Sequence, residues 1–238
     1  MYRVDTDLGV QVIGPNLGEA WISLVEAIIS EGIPCYDEGR PRRALDNVRF
    51  MAKTQSSDDL IIHSFGDRTN LEAMLAFTFE KEIMHDIDLT PSFGNGAKSY
   101  HQRIREGKLL EFVEKRLSLI PESKKAVMVF PTYEDYKQVL GDMKNDYLPC
   151  IVCVQFRLDG NRLNATFNFR SMDVYQKGHG NLIAIAKMAE ILAKRIGCNL
   201  VREIIPGSMD GMIVDAHIYE NTVAGAWEML KRYGPSMP

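Results

Sequence analysis

The strongest constraint on the fold lies past the middle of the chain, where two strand-like segments flank a tight turn and a long apolar helix follows. "PCIVCVQFRL" and "RLNATFNFRSMDV" are rich in β-branched and aromatic residues, and "DGN" between them is a favourable hairpin connection. Since the first segment is nearly all apolar through Phe156, we expect both of its faces to be covered. "GNLIAIAKMAEILAKRIG" has helical spacing and is apolar almost all round, which predicts a central helix.

Strands and helices are also predicted on either side of this unit. Further strands are predicted for "VQVIGP", "KKAVMVFP", "NLVREII" and "GMIVDAHIYE". Helices are predicted for "LGEAWISLVEAIISEG", residues 70–85, residues 107–119, "TYEDYKQVLGDMKN" with Thr132 as N-cap, and "AGAWEMLKRYG". "CYDEGRPRRALDNVRFMAK" reads as an arginine-rich loop that leads into a strand. Without a repeat or linker, the pattern predicts one α+β domain over 1–238, with a large mixed or antiparallel sheet flanked by helices.

Composition excludes several classes of protein. A chain of 238 residues that is 45% hydrophobic can bury a core without disulfides or metals. The formal net charge of -4 argues against nucleic acid as the main partner. No apolar run approaches the roughly 20 residues of a membrane span, and the N-terminus lacks a secretory pattern. Four cysteines are too few for a disulfide scaffold, so we expect free thiols in a cytoplasmic protein.

Polar residues cluster where strands and the central helix are predicted to begin or end. They are Cys150, Arg170, Ser171, Asp173, Asn181, His217 and Tyr219. An arginine fork and a serine hydroxyl suit a phosphate, and an asparagine amide presents a donor and an acceptor to a base edge. Each of these residues also has a structural alternative. The alternatives are an inert buried thiol for Cys150, a salt bridge and turn bond for Arg170 and Ser171, a helix N-cap for Asn181, and a pair on one strand face for His217 and Tyr219.

Three of these segments resemble the motifs of one enzyme family. "LPCIVCVQF", "RSMDVYQKGHGNLIAIA" and "VDAHIYEN" are similar to the nucleophile, Arg-Ser-x-Asp-Val and Asp-x-His-Ile-Tyr-x-Asn motifs of the thymidylate synthases and related pyrimidine-nucleotide hydroxymethylases. In the N-terminal half, "YDEGRPRRALDNV" and "KSYHQRIR" resemble pieces of the short archaeal branch. The resemblance implies a large sheet flanked by helices, with the sheets of two subunits packed back to back in a homodimer.

The resemblance also implies a reaction. Cys150 would add as thiolate to C6 of the uracil ring of a nucleotide monophosphate, which makes C5 nucleophilic. A synthase would convert dUMP to dTMP with 5,10-methylenetetrahydrofolate, or a methanogen-type pterin, as carbon donor and reductant. A uridylate or cytidylate 5-hydroxymethylase would quench the same one-carbon unit with water. A non-catalytic nucleotide-binding or RNA-binding protein on this scaffold is a third interpretation, against which the intact Cys150, Arg170 and Asn181 argue.

Cys150 needs a cation that favours its thiolate, and Arg170 is the candidate, since it could also hold the substrate phosphate. Cys153 is predicted to pack in the core, because a zinc site would require a second Cys/His pair. Lys124 and Lys125 stand where the family has two arginines that reach the partner's phosphate, although lysine lacks the bidentate fork.

Other binding roles follow from the resemblance. Arg40 is favoured over Arg42 and Arg43 as a further phosphate ligand. Asn181 indicates uracil, because relatives that act on cytosine carry Asp there. The sugar hydroxyl would be held by His217 and Tyr219, and the base or the folate would be oriented by Asp173.

The remaining catalytic candidates are less well defined by the motifs. Asp59, in "DLIIHSFGDRTN", stands in place of the family's glutamate base, with Glu80 and Glu82 as alternatives. Tyr100, in "KSYHQRIR", completes the predicted catalytic set. Ile151 departs from the family, which commonly has His directly after the nucleophile.

Overall fold

A computed structural model describes the backbone of residues 2–5 and all atoms of residues 9–82, 97–141 and 147–234. The strands are β1 (Tyr2–Asp5), β2 (Gly9–Gly14), β3 (Ile33–Asp37), β4 (Arg40–Ala52), β5 (Val127–Val129), β6 (Ile151–Asp159), β7 (Arg162–Phe169), β8 (Met172–Asp173) and β9 (Ile205–Tyr219). The α-helices are α1 (Leu17–Glu31), α2 (Leu60–Phe65), α3 (Arg68–Phe79), α4 (Tyr100–Glu106), α5 (Leu109–Leu119), α6 (Tyr133–Gly141), α7 (His179–Leu200) and α8 (Val223–Tyr233). A π-helical turn (Val174–Gly178) leads into α7, and a 3₁₀ turn (Glu220–Thr222) leads into α8.

The nine described strands form one mixed sheet in the order β1-β2-β4-β9-β7-β6-β5, with β3 paired to β4 and β8 paired to β9. The long strands β4 and β9 pair antiparallel at its centre, whereas β2 lies parallel to β4 and β7 parallel to β9. The predicted α+β class, with a large mixed sheet flanked by helices, is therefore confirmed.

One face of the sheet carries the hydrophobic core. Strand β7 alternates buried and open residues, so that Leu163, Ala165, Phe167 and Phe169 all face the helices. Helices α1 and α7 pack on that face, and α7 is buried along most of its length, as its apolar pattern predicts. The strand ends that carry the candidate site residues are thus held by a rigid, well-packed layer.

The other face of β6 is open within a single chain, so the prediction that both faces are covered is wrong for the chain alone. Val154 and Phe156 face the core, but Cys153 and Gln155 point to the opposite side and are half-buried. Cys153 is therefore not a core residue, because the β-bulge between Ile151 and Cys153 shifts the alternation. A shallow concavity of about 400 Å³ on this open face is lined by Arg49, Cys153, Gln155, Thr166, Phe167, Asn168, Asp210, Gly211 and Met212.

Two segments differ from their predicted structure. The predicted arginine-rich loop is a hairpin, in which β3 pairs with the first part of β4 from Asp37↔Arg40 to Ile33↔Ala44. The prediction of a strand for "NLVREII" is wrong. The first residues of this segment complete α7, Val201 adopts a left-handed backbone conformation, and β9 begins only at Ile205. From there β9 runs unbroken through the second predicted strand.

The other predicted helices and strands are present with shifted ends. The helix predicted for 70–85 is α3, which ends at Phe79, and residues 83–85 lie outside the described ranges. The second hairpin strand ends at Phe169, after which β8 continues as a separate short strand. The short helix α4 was not predicted. In the described ranges, no helix has both the length and the apolar character that crossing a bilayer requires.

Candidate active site

Cys150 is the last residue before β6, and it is half-buried. Arg170, at the end of the neighbouring β7, fixes the loop that carries it. The Arg170 backbone N–H donates to the Cys150 carbonyl at 2.9 Å, and its guanidinium donates to the carbonyls of Leu148 at 2.7 Å and Pro149 at 3.2 Å. The hairpin thus brings the predicted nucleophile and the predicted cation together.

Tyr100 lies behind Cys150 at the start of α4 and is buried. The backbone N–H of Ile151 donates to its hydroxyl oxygen at 3.1 Å, and its ring packs edge-on against Phe130, with the centroids 5.1 Å apart. Burial raises the pKa of Tyr100, and the adjacent Cys150 raises it further, so the phenol stays protonated at neutral pH.

A buried ion pair holds α4 in place. The Arg103 guanidinium donates through both terminal nitrogens to the Asp135 carboxylate at 2.7 Å and also to the Phe130 carbonyl at 3.0 Å. The side chains of the pair are 4% and 5% exposed. Thr132, the predicted N-cap of α6, donates its backbone N–H and its hydroxyl to the same carboxylate. This pair was missed, because arginine and aspartate are ordinary surface residues when met in a sequence.

Asn181 lies in the first turn of α7 and is 4% exposed. The helix begins at a Gly178 cap, so the alternative reading of Asn181 as the N-cap is wrong. Its Oδ1 is buried without a hydrogen-bond partner among the described residues. An unpaired buried acceptor costs about 1–3 kcal/mol, so its retention is consistent with a ligand donor at this position.

Neighbouring residues fix the turn that leads to Asn181. The Asp173 carboxylate accepts the backbone N–H and the side-chain amide of Gln176 at 3.2 and 2.6 Å. His179 contacts the Asp67 carbonyl at 3.1 Å, and burial lowers its pKa, which keeps the ring neutral. Trp21 donates its indole N–H to the backbone of this turn at 2.9 Å. Ser171 is half-buried beside Arg170.

His217 is buried near the end of β9, directly across from Asp173 on β8. Its Nδ1 lies 2.7 Å from the Asp215 carboxylate, which also forms an ion pair with Arg42. With the proton on Nδ1, the Nε2 atom of His217 is an acceptor. Arg42 therefore stabilises the carboxylate that orients this histidine, a role that sequence reasoning did not assign.

Tyr219 lies beside His217, with ring centroids 5.0 Å apart, and its hydroxyl donates to Asp37 at 2.7 Å. The Arg40 guanidinium is 5.2 Å from the Tyr219 ring centroid and pairs with Asp37 at 2.8 Å. The structure thus brings Arg40, from the N-terminal half, to the two residues of the "DAHIY" segment. Arg43 instead pairs with Glu220 at 3.0 Å.

Comparison with known proteins identifies the family of the chain. Residues 67–238 match the model of the family described as thymidylate synthase. The chain belongs to the thymidylate synthase family. It is therefore an enzyme, a one-carbon transferase, as the motifs predicted.

Relatives cover nearly the whole chain at low identity. A protein of Methanococcoides burtonii is 24% identical over 96% of this chain and 96% of its own length. Proteins of Methanothermobacter thermautotrophicus and Methanothermobacter marburgensis are 25% and 26% identical, each over 91% of this chain and 96% of their own length. Each of the three bears the name "Putative thymidylate synthase".

The lysine pair that stands at the family's arginine positions lies away from Cys150 in the same chain. Lys124 and Lys125 are exposed in the turn before β5. Since Val127 pairs with Gln155, the lysines lie roughly 20 Å along β6 from the nucleophile. Their role at the phosphate of a partner subunit stays a prediction.

Two of the three candidates for the thymidylate synthase base, Asp59 and Glu82, have side-chain partners of their own. Asp59 caps α2 and accepts the backbone N–H groups of Gly18, Ile61 and Ile62 at 3.0–3.1 Å. Glu80 follows the last residue of α3, and Glu82 pairs with an arginine at the surface. The choice among these carboxylates stays a prediction.

The Asp215 contacts predict a pH-dependent contribution to stability. Burial by itself would raise the pKa of Asp215, but hydrogen bonds from His217 and Arg42 outweigh it and hold the pKa at about 2. A carboxyl group whose pKa is lowered by folding stabilises the fold at pH values above its ordinary pKa near 3.8. This contribution is lost as the pH falls toward 2. We expect Asp215→Asn to lower the free energy of unfolding by about 2 kcal/mol at pH 7, with the difference shrinking below about pH 4.

Urea unfolding of both proteins across this pH range measures the difference. Asp58→Asn, at an exposed carboxylate, is the matched control and should unfold like the wild type. A deficit in Asp215→Asn that stays constant down to pH 2 contradicts the ionic origin.

Proposed function

We propose that this enzyme converts dUMP to dTMP, with 5,10-methylenetetrahydrofolate or a related methanogen-type pterin as the one-carbon donor. The observation that carries the proposal is Cys150, held at the head of β6 by Arg170 and Tyr100. A half-buried thiol beside a guanidinium and a phenol is an arrangement suited to a nucleophile. The membership of the family supports the same reaction class.

In the proposed reaction, the Cys150 thiolate attacks C6 of the uracil ring and forms the S–C6 bond. The electron pair of the C5=C6 double bond moves toward C5 and O4, so that C5 becomes a nucleophile. Bound methylenetetrahydrofolate supplies the carbon that C5 captures and the hydride that reduces this carbon to methyl. The C5 proton leaves to a base, for which Asp59 is the leading candidate, and cleavage of the S–C6 bond returns the thiolate.

Asn181 supports uracil as the base. Its unpaired buried Oδ1 suits the N3–H of uracil, and its amide nitrogen can donate to O4 alongside. With the amide in this orientation, cytosine would be mismatched, because its N3 has no proton for the Asn181 oxygen and its N4 amino group would meet the amide nitrogen, donor against donor.

The remaining predicted residues would hold the rest of the nucleotide and the pterin. Arg170 and Ser171 would bind the phosphate, together with Arg40, while His217 and Tyr219 would bind the sugar hydroxyl. Asp173 fits a pterin or base ring, because its buried carboxylate is fixed by Gln176 and accepts N–H donors.

We also propose a cytoplasmic homodimer of a single domain over residues 1–238. The open sheet face, with half-buried Cys153 and Gln155, is consistent with packing against a second copy. In such a dimer, Lys124 and Lys125 of one subunit would reach the phosphate in its partner. The free cysteines of the described residues are consistent with a reducing compartment.

Incubation with 5-fluoro-dUMP and methylenetetrahydrofolate tests the reaction. Fluorine at C5 cannot leave as a proton does, so the covalent complex should accumulate on the peptide that contains Cys150. Intact mass and peptide mapping detect it, and the product mass from dUMP should show a methyl group. If an adduct forms with the ribonucleotide or the cytosine counterpart of 5-fluoro-dUMP but not with 5-fluoro-dUMP itself, the substrate is not dUMP. A hydroxymethyl product would likewise contradict the conversion of dUMP to dTMP.

A further inference from the structure

The two residues predicted to hold the sugar hydroxyl are each hydrogen-bonded to a carboxylate. His217 and Tyr219 lie on one face of β9, with their rings edge to face and the centroids 5.0 Å apart. The Nδ1 atom of His217 lies 2.7 Å from the Asp215 carboxylate. The Tyr219 hydroxyl lies 2.7 Å from Oδ2 of Asp37, at the end of β3.

Two arginines at the start of β4 hold these carboxylates in place. Arg40 donates to the same Oδ2 atom of Asp37 at 2.8 Å, and its guanidinium lies over the Tyr219 ring. Arg42, which is opposite Tyr219 in the register of β4 and β9, forms an ion pair with Asp215. The hairpin of β3 and β4 therefore fixes the position of both acceptors.

The two carboxylates decide where the protons of His217 and Tyr219 point. A carboxylate has no proton to give, so Tyr219 must donate its one hydroxyl proton to Asp37. Burial and this bond raise the pKa of Tyr219, so the phenol stays protonated. A neutral His217 carries its one ring proton on Nδ1, toward Asp215, and no described residue is hydrogen-bonded to its Nε2. The pair thus presents two acceptors and no donor to a ligand.

We propose that Asp37 is a specificity-determining positioning residue, which together with Asp215 makes His217 and Tyr219 select a sugar oxygen that carries a proton. The inference rests on the proposed function, in which these two residues meet the sugar of dUMP. The 3′-hydroxyl is the free hydroxyl of that sugar, and it can donate. An ester oxygen at the same place has no proton and would face lone pairs, so the site selects a free mononucleotide over one linked through this oxygen.

Two analogues of dUMP test the inference in the wild type, one with fluorine and one with hydrogen in place of the 3′-hydroxyl. Fluorine is close to a hydroxyl in size but cannot donate, so against two acceptors it should be the poorer substituent. We expect kcat/KM relative to dUMP to fall about tenfold for the hydrogen analogue and about a hundredfold for the fluorine analogue. If the fluorine analogue is used as well as the hydrogen analogue or better, a proton points into the site and the inference is wrong.

Asp37→Ala tests the positioning role directly. It frees the Tyr219 proton to turn toward the sugar, so the preference for dUMP over the fluorine analogue should fall from about a hundredfold to about tenfold. Both ligands carry the same phosphate, so any effect through Arg40 cancels in this ratio. Glu38→Ala is the matched control, because Glu38 lies on the same hairpin, 3.4 Å from Arg40, and its side chain is exposed. It should keep the wild-type ratio.

A double substitution separates positioning from a general loosening of the hairpin. Since Asp37 acts through the Tyr219 proton, adding Asp37→Ala to Tyr219→Phe should change the ratio by less than about twofold. An unchanged ratio in Asp37→Ala alone, or a further fall in the double variant, overturns the inference and leaves the proposed function intact. Failure of the wild type to convert dUMP itself overturns both.

Discussion

Replacing Cys150 with alanine should abolish the covalent adduct with 5-fluoro-dUMP and reduce dTMP formation by more than about a thousandfold. In the proposed mechanism no other group forms the bond to C6, so C5 is never activated in the variant. The substitution removes a half-buried side chain at the head of β6, and the backbone bond from Arg170 to the residue 150 carbonyl can remain. Intact mass measures the adduct, a product assay measures turnover, and circular dichroism confirms that the variant is folded.

Cys153→Ala is the matched control, three residues along the same segment. Burial raises the pKa of the Cys153 thiol and outweighs the backbone hydrogen bond from Asn168, so this cysteine stays protonated at neutral pH. It faces the open side of the sheet, away from the core. We expect turnover within about twofold of the wild type and a full yield of adduct. If the adduct is lost in Cys153→Ala but not in Cys150→Ala, the nucleophile is Cys153, and the assignment to Cys150 is wrong.

Much of the fold could be predicted because its strongest signals are local. The alternation of "RLNATFNF" and the "DGN" turn predict β6 and β7, and the helical spacing of "NLIAIAKMAEIL" predicts α7. The hairpin of β3 and β4 was missed because charged residues occupy its strands. Arg42 is satisfied by Asp215 on distant β9, a partner that no local pattern contains.

The candidate site was predicted through motifs, and its supporting contacts were not. Cys150 and Arg170 could be placed together from the hairpin, since both lie at its open end. The contacts of Tyr100 with Ile151 and of Arg42 with Asp215 join residues 51 and 173 positions apart. Such pairs depend on how helices and strands pack, which hydrophobic periodicity alone does not fix.

Breaking the Arg103–Asp135 ion pair should give the largest loss of stability among the polar substitutions considered for this enzyme. Both side chains are almost fully buried, and Arg103 makes two 2.7 Å bonds to the carboxylate. Arg103→Met leaves the Asp135 charge buried without its partner, which typically costs about 3–5 kcal/mol, or roughly 10 °C in Tm for a chain of this size. Since Arg103 lies on α4, the turn that places Tyr100 should also loosen, so kcat should fall in the protein that remains folded.

Urea unfolding followed by circular dichroism measures this loss against two comparisons. Arg68→Met removes an exposed ion pair to Glu72 of the same 2.7 Å length and should leave the unfolding midpoint nearly unchanged, because exposed pairs are solvated and screened. The double variant Arg103→Met/Asp135→Leu removes both buried charges and should recover much of the loss, because no unpaired charge remains. If Arg103→Met unfolds at the same urea concentration as Arg68→Met, the buried pair does not stabilise α4, and Tyr100 is held by other contacts, such as those with Ile151 and Phe130.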